Sequence, residues 1–395
     1  MSTNVETTDV LVIGLGAMGA ATTLHLARAG VRVIGIDQFA PPHAMGSTHG
    51  ETRITRQAIG EGEQFVPLAL RSHQLWREIE AETGAQLFNA CGGLIMTRGE
   101  QMSRLHDQQD FLGNTIRAAE RFGIAHQKWR ATDIADHYPQ FVLHGDEIAY
   151  FEPGAGYVAP EACVNAQLKL ATRHGATLRL NEKVIAISHH RDHTEVTTDR
   201  ARYHTDTTII AAGAWTSQLV PALASTLTVR RQVLHWFQLD GSVSYAPQDM
   251  PIFITQWGDA EDAVFYGFPQ TANNNVIKVA TEQRLADTTA DTVDRNTSLA
   301  ESAAMHARHV AGRLRGVTAR AVKSVACLYT NAPNANFIID RLPDAPNTIV
   351  IAACSGHGFK HSAAIGEAVA QMITQRDKPA VLHPFPWPKT SLHAD

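Results

Sequence analysis

The sequence predicts a mixed α/β (α+β) protein of two domains. Three observations carry that expectation. The chain has 395 residues, more than one hydrophobic core usually serves. It opens in strand–turn–helix–strand order over residues 10–37, and a strand, a glycine turn and a helix return in "NTIVIAACSGHGFKHSAAIGEAVAQMI". Between these, residues 226–325 carry alternating strand patterns ("HWFQL", "VFYGF", "VIKVA") with few helices. A nucleotide-type unit in three separated pieces, with a sheet-rich domain inserted twice, accounts for all three.

Composition bounds the partners. Hydrophobic residues are 44% and charged residues 18%, a globular balance with ample core. A formal charge of -5 is small for this length and argues against nucleic acid or an acidic membrane. No run approaches the roughly 18 apolar residues of a membrane span. "MSTNVETTDV" lacks the basic and apolar regions of a signal peptide, "SLHAD" is no peroxisomal address, and the sequon at Asn296 means nothing without secretion. The four cysteines (Cys91, Cys163, Cys327, Cys354) form no CxxC pair, so reduced thiols and a cytoplasmic location are expected.

"DVLVIGLGAMGAATTLHLARAGVRVIGID" is the strongest local pattern. Val10 to Ile13 is an apolar strand run; Gly14, Gly16 and Gly19 fill the GxGxxG positions; "AATTLHLARAG" is a helix closed by Gly30; "VRVIGI" is a second strand ending in Asp37. The glycines allow a tight turn and close approach of backbone to a pyrophosphate, the helix N-terminus faces the phosphates, and Asp37 accepts from a ribose hydroxyl. Dinucleotide binding follows from strand, helix, strand and acid in order, because a lone GxGxxG is weak. The motif does not separate NAD from FAD.

After Asp37 the chain departs from simple βα repeats. "PPHAMGSTHGETRITRQAIGEG" is a long connection of the kind that usually carries function. A helix follows, with Leu68, Leu75 and Ile79 on one face and Gly84 after it. "GGLIMTR" reads as a strand and Ser103 to Phe122 as a helix. The stretch from Pro160 to Val220 reads helix, strand, hairpin, strand.

Several stretches then resemble one family, the FAD-dependent amine oxidases typified by monomeric sarcosine oxidase and N-methyltryptophan oxidase. They are "GLGAMG", "PPH", "GETRITR", "GEGEQFVPLALRS", "FEPGAGY", "AAGAW", "YGFP", "CLYT", "FIID" and "SGHGFK", in the family's order from residue 14 to residue 360. The resemblance implies a Rossmann-like FAD-binding domain built from discontinuous segments (1–85, 152–225 and 326–395) plus a sheet-rich substrate domain (86–151 and 226–325). It implies FAD contacts at Gly14, Gly16, Gly19, Asp37, Gly213, Gly356 and Gly358.

Residue by residue, the bland reading stands beside the implied one. Cys327, flanked by apolar residues, reads alone as a buried structural cysteine; the resemblance makes it the thioether anchor of a covalent flavin. Arg53 and Arg56 read alone as surface arginines of a polar loop; the resemblance gives Arg56 to the substrate carboxylate, for which a guanidinium fork is suited, and Arg53 to the flavin face. Lys360 joins Arg56 on the carboxylate, and His357 lies beside the flavin. His49 falls where the family has an active-site histidine, and Thr48 where relatives carry His. Lys278 is on pattern either an outward edge residue or a buried one; the resemblance has it speed O2 reduction. Tyr266 and Tyr329, packing aromatics on the bland reading, line the substrate cavity on the implied one.

Glu282, in "ATE", replaces a family histidine, and "QRLADTTADTVDRN" after it has no match. His189, His190 and His193 have metal-like spacing but fall at a turn between two strands, so no metal is expected. The implied protein is a monomeric oxidase of secondary amino acids, chiefly N-methyl amino acids, producing hydrogen peroxide. Oxidases of cyclic or sugar-linked amines (pipecolate or fructosyl amino acid type), and an amine dehydrogenase serving an electron carrier, stay open as alternatives.

Overall fold

The computed structural model describes residues 5–99, 104–106, 108–258, 260, 262–271, 275–284 and 286–388. Val5–Ile13 runs through the middle of an eight-stranded sheet, and its residues from Val10 onward are apolar and buried, as a parallel strand covered on both faces requires. The parallel order is Thr177–Leu180, Val33–Asp37, Val5–Ile13, Arg202–Ile210, Ala345–Ala352. Ile338–Leu342 adds antiparallel to Ala345–Ala352, and the hairpin of Val184–His189 and Thr194–Thr198 pairs with the first half of Arg202–Ile210. Strands for this one sheet therefore come from three stretches far apart in the chain.

Helix Ala17–Arg28 packs against Pro160–Arg173 and Ser362–Thr374. The second crossing is close because Gly366 has no side chain: a Cβ there would sit 2.4 Å from the Cβ of Ala21. Helix Val66–Thr83 buries Leu68, Leu75 and Ile79 and ends at Gly84 in the left-handed conformation, as expected.

A nine-stranded sheet forms the second layer system. Its order is Asp287–Thr288, Thr228–Leu239, Val276–Ala280, Val264–Gly267, Ile252–Gln256, Gly93–Arg98, Glu147–Glu152, Gln127–Arg130, with Val317–Asn331 along Thr228–Leu239. All five residues of Val276–Ala280 are buried, so Lys278 is an interior charge. The pairing of Val317–Asn331 continues unbroken through residue 326, where the sequence pattern puts a domain boundary. This strand delivers Cys327 and Tyr329 to the crevice between the sheets, and the Ser355 amide donates to Thr330 O at 2.9 Å to tie the two layers together.

One helix differs from expectation. It spans Phe111–Phe122 rather than starting at Ser103, which lies outside the described residues. Asp110 caps it by accepting from the Gly113 amide at 3.2 Å, and Arg104–Leu105 and Gln108–Gln109 form a short hairpin before it.

Candidate active site

A long crevice runs from the end of Val33–Asp37 to the nine-stranded sheet. At its first end Gly14 turns with φ 89°, and a Cβ there would lie 2.5 Å from Ala211 O. Gly19 is equally constrained, its hypothetical Cβ 1.7 Å from Gly14 O, so the helix can press onto the turn only with glycine at this position. Gly16 is the N-cap residue and offers no side chain to the first-turn amides, which border the crevice. The Asp37 carboxylate accepts from the Leu15 and Phe39 amides, both at 2.8 Å, and keeps acceptor capacity for a hydroxyl. Gly213, with φ 54°, opens the turn Gly213–Trp215 on the opposite wall.

In the middle of the crevice, Arg53 donates from Nη2 to Ser47 O at 2.7 Å and stands 3.5 Å from Cys327 Sγ. Lys278 Nζ donates to Gly50 O at 2.8 Å and Thr52 O at 2.7 Å, and lies 4.2 Å from the centre of the Phe268 ring. Burial, with Arg53 adding to it, holds the Lys278 pKa well below the ordinary lysine value. Burial, Arg53 and Lys278 pull His49 down to about 4, so it is neutral at pH 7. Its Nε2 has no partner among the described residues. Thr48 Oγ1 accepts from the Ala17 amide at 3.4 Å, at the start of the helix Ala17–Arg28.

At the far end a second glycine turn repeats the logic of the first. Gly356 has φ 76°, and a Cβ on Gly358 would lie 1.7 Å from Ala353 O. Beyond it Lys360 is buried and donates to His357 O at 2.8 Å. Burial lowers the Lys360 pKa to about 8, against the opposing pull of Glu61. His357 donates from Nε2 to Ala335 O at 2.8 Å, and burial keeps its ring neutral. Tyr266 and Tyr329 meet hydroxyl to hydroxyl at 3.3 Å across the cavity.

Glu61 is the residue that the sequence reading missed. It is buried, its Oε2 pairs with Arg56 Nη2 at 2.5 Å, and its Oε1 lies 3.5 Å from Lys360 Nζ and 3.2 Å from His106 Nδ1. Burial raises its pKa, but Arg56, Lys360 and the His106 hydrogen bond outweigh burial and hold the carboxyl well below the usual range. Two further acids shape the loop between: half-buried Glu161 accepts from the Gly50 amide at 2.6 Å, and buried Glu152 from the Gln57 amide at 2.7 Å. The available clue was acids set among glycines and aromatics in "GEGEQF" and "FEPGAGY".

Glu282 lies outside this crevice, in a neighbouring polar cavity with Arg230, Arg284 and Ser355 that touches the crevice at His106. His190 and His193 stack at 4.6 Å beside the turn of their hairpin, and neither lines the crevice. The crevice thus joins a helix start and a buried carboxylate at one end to a thiol in its middle and buried cations beyond it. That donor set fits an FAD molecule laid along it.

The chain matches the family described as "DAO: FAD dependent oxidoreductase" over residues 9–372. It is 37% identical to the monomeric sarcosine oxidase of Streptomyces avermitilis over 369 residues, 93% of each chain. It is 35% identical to the N-methyl-L-tryptophan oxidase of Yersinia pestis (strain Pestoides F) over 376 residues, 94% of this chain and 96% of that one. Among solved structures it superposes on the open form of NikD, an amino acid oxidase of nikkomycin biosynthesis, with TM-score 0.84, 21% identity and 99% of both chains covered. The L-proline dehydrogenase of P. horikoshii gives TM-score 0.76, 20% identity and 96% coverage of both. These structural likenesses establish the shared fold.

Proposed function

Because the chain belongs to the FAD-dependent oxidoreductase family and is a flavin-dependent amine oxidase by that membership, we propose that its substrates are secondary amino acids, chiefly N-methyl amino acids such as sarcosine or N-methyltryptophan. One observation carries the reading: Arg56 and Lys360, both buried, converge on a single carboxylate, Glu61. Two cations and one anion leave an excess positive charge in a dry site, which one substrate carboxylate would neutralise. The two curated relatives act, by their names, on amines of this class.

Bound along the crevice, FAD would supply the two-electron oxidation of the substrate C–N bond and the return of those electrons to O2 as hydrogen peroxide. This chain's residues do the rest. Gly14, Gly16 and Gly19 let backbone amides meet the pyrophosphate, Asp37 takes a ribose hydroxyl, and Gly213, Gly356 and Gly358 let the backbone approach closely. Cys327 anchors the cofactor through a thioether, with Arg53 beside the sulfur. Arg56 and Lys360 hold the substrate carboxylate, and Tyr266 and Tyr329 wall the amine's side of the cavity. His49 and His357, kept neutral, add hydrogen-bonding capacity without adding charge. Lys278 favours negative charge developing on O2. The name of the 37%-identical relative supports a monomer here.

The test is anaerobic bleaching of the bound flavin by sarcosine, N-methyltryptophan, other N-methyl amino acids, pipecolate and fructosyl-glycine, followed by air. Rapid bleaching by an N-methyl amino acid, with colour returning and peroxide formed, is the expected result. Bleaching by pipecolate or fructosyl-glycine alone would move the substrate class. Colour that returns slowly in air would move the acceptor from O2 to an electron carrier.

A further inference from the structure

His106 stands between two cavities and has no part in the reading above. It lines the crevice with Arg56, Glu61 and Tyr329, and also the polar cavity of Arg230, Glu282, Arg284 and Ser355. Its backbone is left-handed, φ 49°, which a histidine seldom adopts, and its side chain is only 12% exposed. Nδ1 lies 3.2 Å from Glu61 Oε1. Glu61 is ionised between Arg56 and Lys360, and a carboxylate only accepts, so Nδ1 carries the hydrogen and donates. In the neutral ring the lone pair is then on Nε2. That atom faces Gly356, where a Cβ would lie 2.9 Å from Nε2 and 2.8 Å from the Tyr329 ring. The missing side chain leaves room beside Tyr329, and Nε2 has no hydrogen-bond partner among the described residues. A histidine clamped on one nitrogen by a carboxylate and open at the other is arranged as a base.

Resting on the oxidation of a secondary amino acid, we propose that His106, oriented by Glu61, is the base that takes the ammonium proton of the bound substrate. Amino acids arrive as zwitterions, and the nitrogen must shed a proton before its lone pair can assist loss of hydride from carbon. One carbon separates that nitrogen from the carboxylate. A carboxylate held by Arg56 and Lys360 therefore brings the ammonium next to the ring that shares Glu61 with them. The substrate N–H bond breaks, its electron pair stays on the substrate nitrogen, and the proton forms a bond to Nε2. Glu61 stabilises the resulting imidazolium. The proton then passes from Nε2 to water in the polar cavity, restoring the neutral ring.

The titratable and charged groups facing His106 are Glu61 with Arg56 behind it, Lys360 and neutral His357 from the second glycine turn (the His357 ring centroid 5.4 Å from that of His106), Tyr329, and Glu282, Arg230 and Arg284 across the polar cavity. Arg230 is engaged through Nε with Asp287 at 3.1 Å.

The experiment compares wild-type and His106→Gln holoenzyme in anaerobic single-turnover reduction across pH. Two substrates of unlike basicity are used: an ordinary secondary amino acid, and one whose amine is acidified by a ring sulfur (thiazolidine-4-carboxylate). The variant is expected to slow the ordinary amine by about 100-fold or more at neutral pH, with its low-pH limb moved up to the amine's own ionisation. The acidified amine, already unprotonated, should be nearly unaffected. Equal loss on both amines, or an unmoved limb, overturns the base. Independently of activity, 15N spectra of histidine-labelled enzyme, with His106 assigned by its absence in the variant, should show the Nδ1–H tautomer; an Nε2–H tautomer overturns the dyad. A wild type that no secondary amino acid reduces overturns the functional reading, and the base with it.

Discussion

Arg56 and Glu61 form an ion pair, Nη2 to Oε2 at 2.5 Å, buried at the inner end of the crevice, and Lys360 reaches the other oxygen of the same carboxylate at 3.5 Å. The pair joins neighbours on one loop, whereas Lys360 comes from a turn 299 residues further along. Two buried cations side by side would be costly to desolvate and would repel each other. Glu61 offsets both effects, so the fold can hold an almost complete carboxylate site, one charge short, before any substrate is present.

Removing that compensation should be expensive. Glu61→Gln leaves Arg56 and Lys360 buried without their anion and is expected to lower stability by about 3–5 kcal/mol, read as a shift in the urea midpoint. The pH dependence has a definite sign. The Glu61 carboxyl sits well below the ordinary value of 4.5, so its stabilisation is fully present above 4.5 and is lost as pH falls below it through the lower folded value. The wild type should therefore lose more stability than the variant as the pH drops below 4.5. Parallel curves, or an unchanged urea midpoint, would mean the pair contributes little.

Cys327 is buried, with Arg53 Nη2 3.5 Å from its sulfur and Ser47 O at 3.6 Å. If it anchors the cofactor, acid-precipitated and washed wild-type protein keeps its yellow colour, and Cys327→Ser protein releases it to the supernatant. Colour lost from both in the same wash would make Cys327 a packing residue of the strand.

What the sequence revealed and what it hid follow from distance along the chain. The opening unit was legible because its cues, apolar residues 10–13, the three glycines and Asp37, are local and each has one physical job. Glu61 was not, since its meaning comes from Lys360 and His106, and no local pattern marks an acid as the counter-ion of a distant lysine. His106 was hidden within a stretch that read as helix from Ser103; only Asp110 starts that helix. Lys278 read equally as edge or interior, because the strands that bury it, Thr228–Leu239 and Val264–Gly267, come from elsewhere in the chain.

Lys278 lines the crevice with no acid bonded to it among the described residues; its ammonium is held by the carbonyls of Gly50 and Thr52 and the ring of Phe268. Lys278→Met keeps length and removes charge. Stopped-flow measurement of the two half-reactions should find reoxidation by O2 slowed about 100-fold, with reduction by substrate far less affected. Equal slowing of both would assign Lys278 to the structure of the loop it holds rather than to oxygen.

Two glycines separate steric from conformational cost. Gly30 has φ 74° and open space around it, so Gly30→Ala meets only backbone strain, about 1–2 kcal/mol. Gly358 carries the opposite problem: a Cβ there would lie 1.7 Å from Ala353 O, a backbone atom that cannot rotate away. Gly358→Ala must push the turn Gly358–His361 away from Ala353, just past the end of the strand Ala345–Ala352, and Lys360 moves with it. The expected outcome is a larger fall in melting temperature for Gly358→Ala than for Gly30→Ala. It should also raise KM for the substrate, because Lys360 loses its place opposite Arg56. A Gly358→Ala enzyme as stable as Gly30→Ala, with KM unchanged, would show that the turn can shift without disturbing the carboxylate site, and the assignment of Lys360 to that site would fall with it.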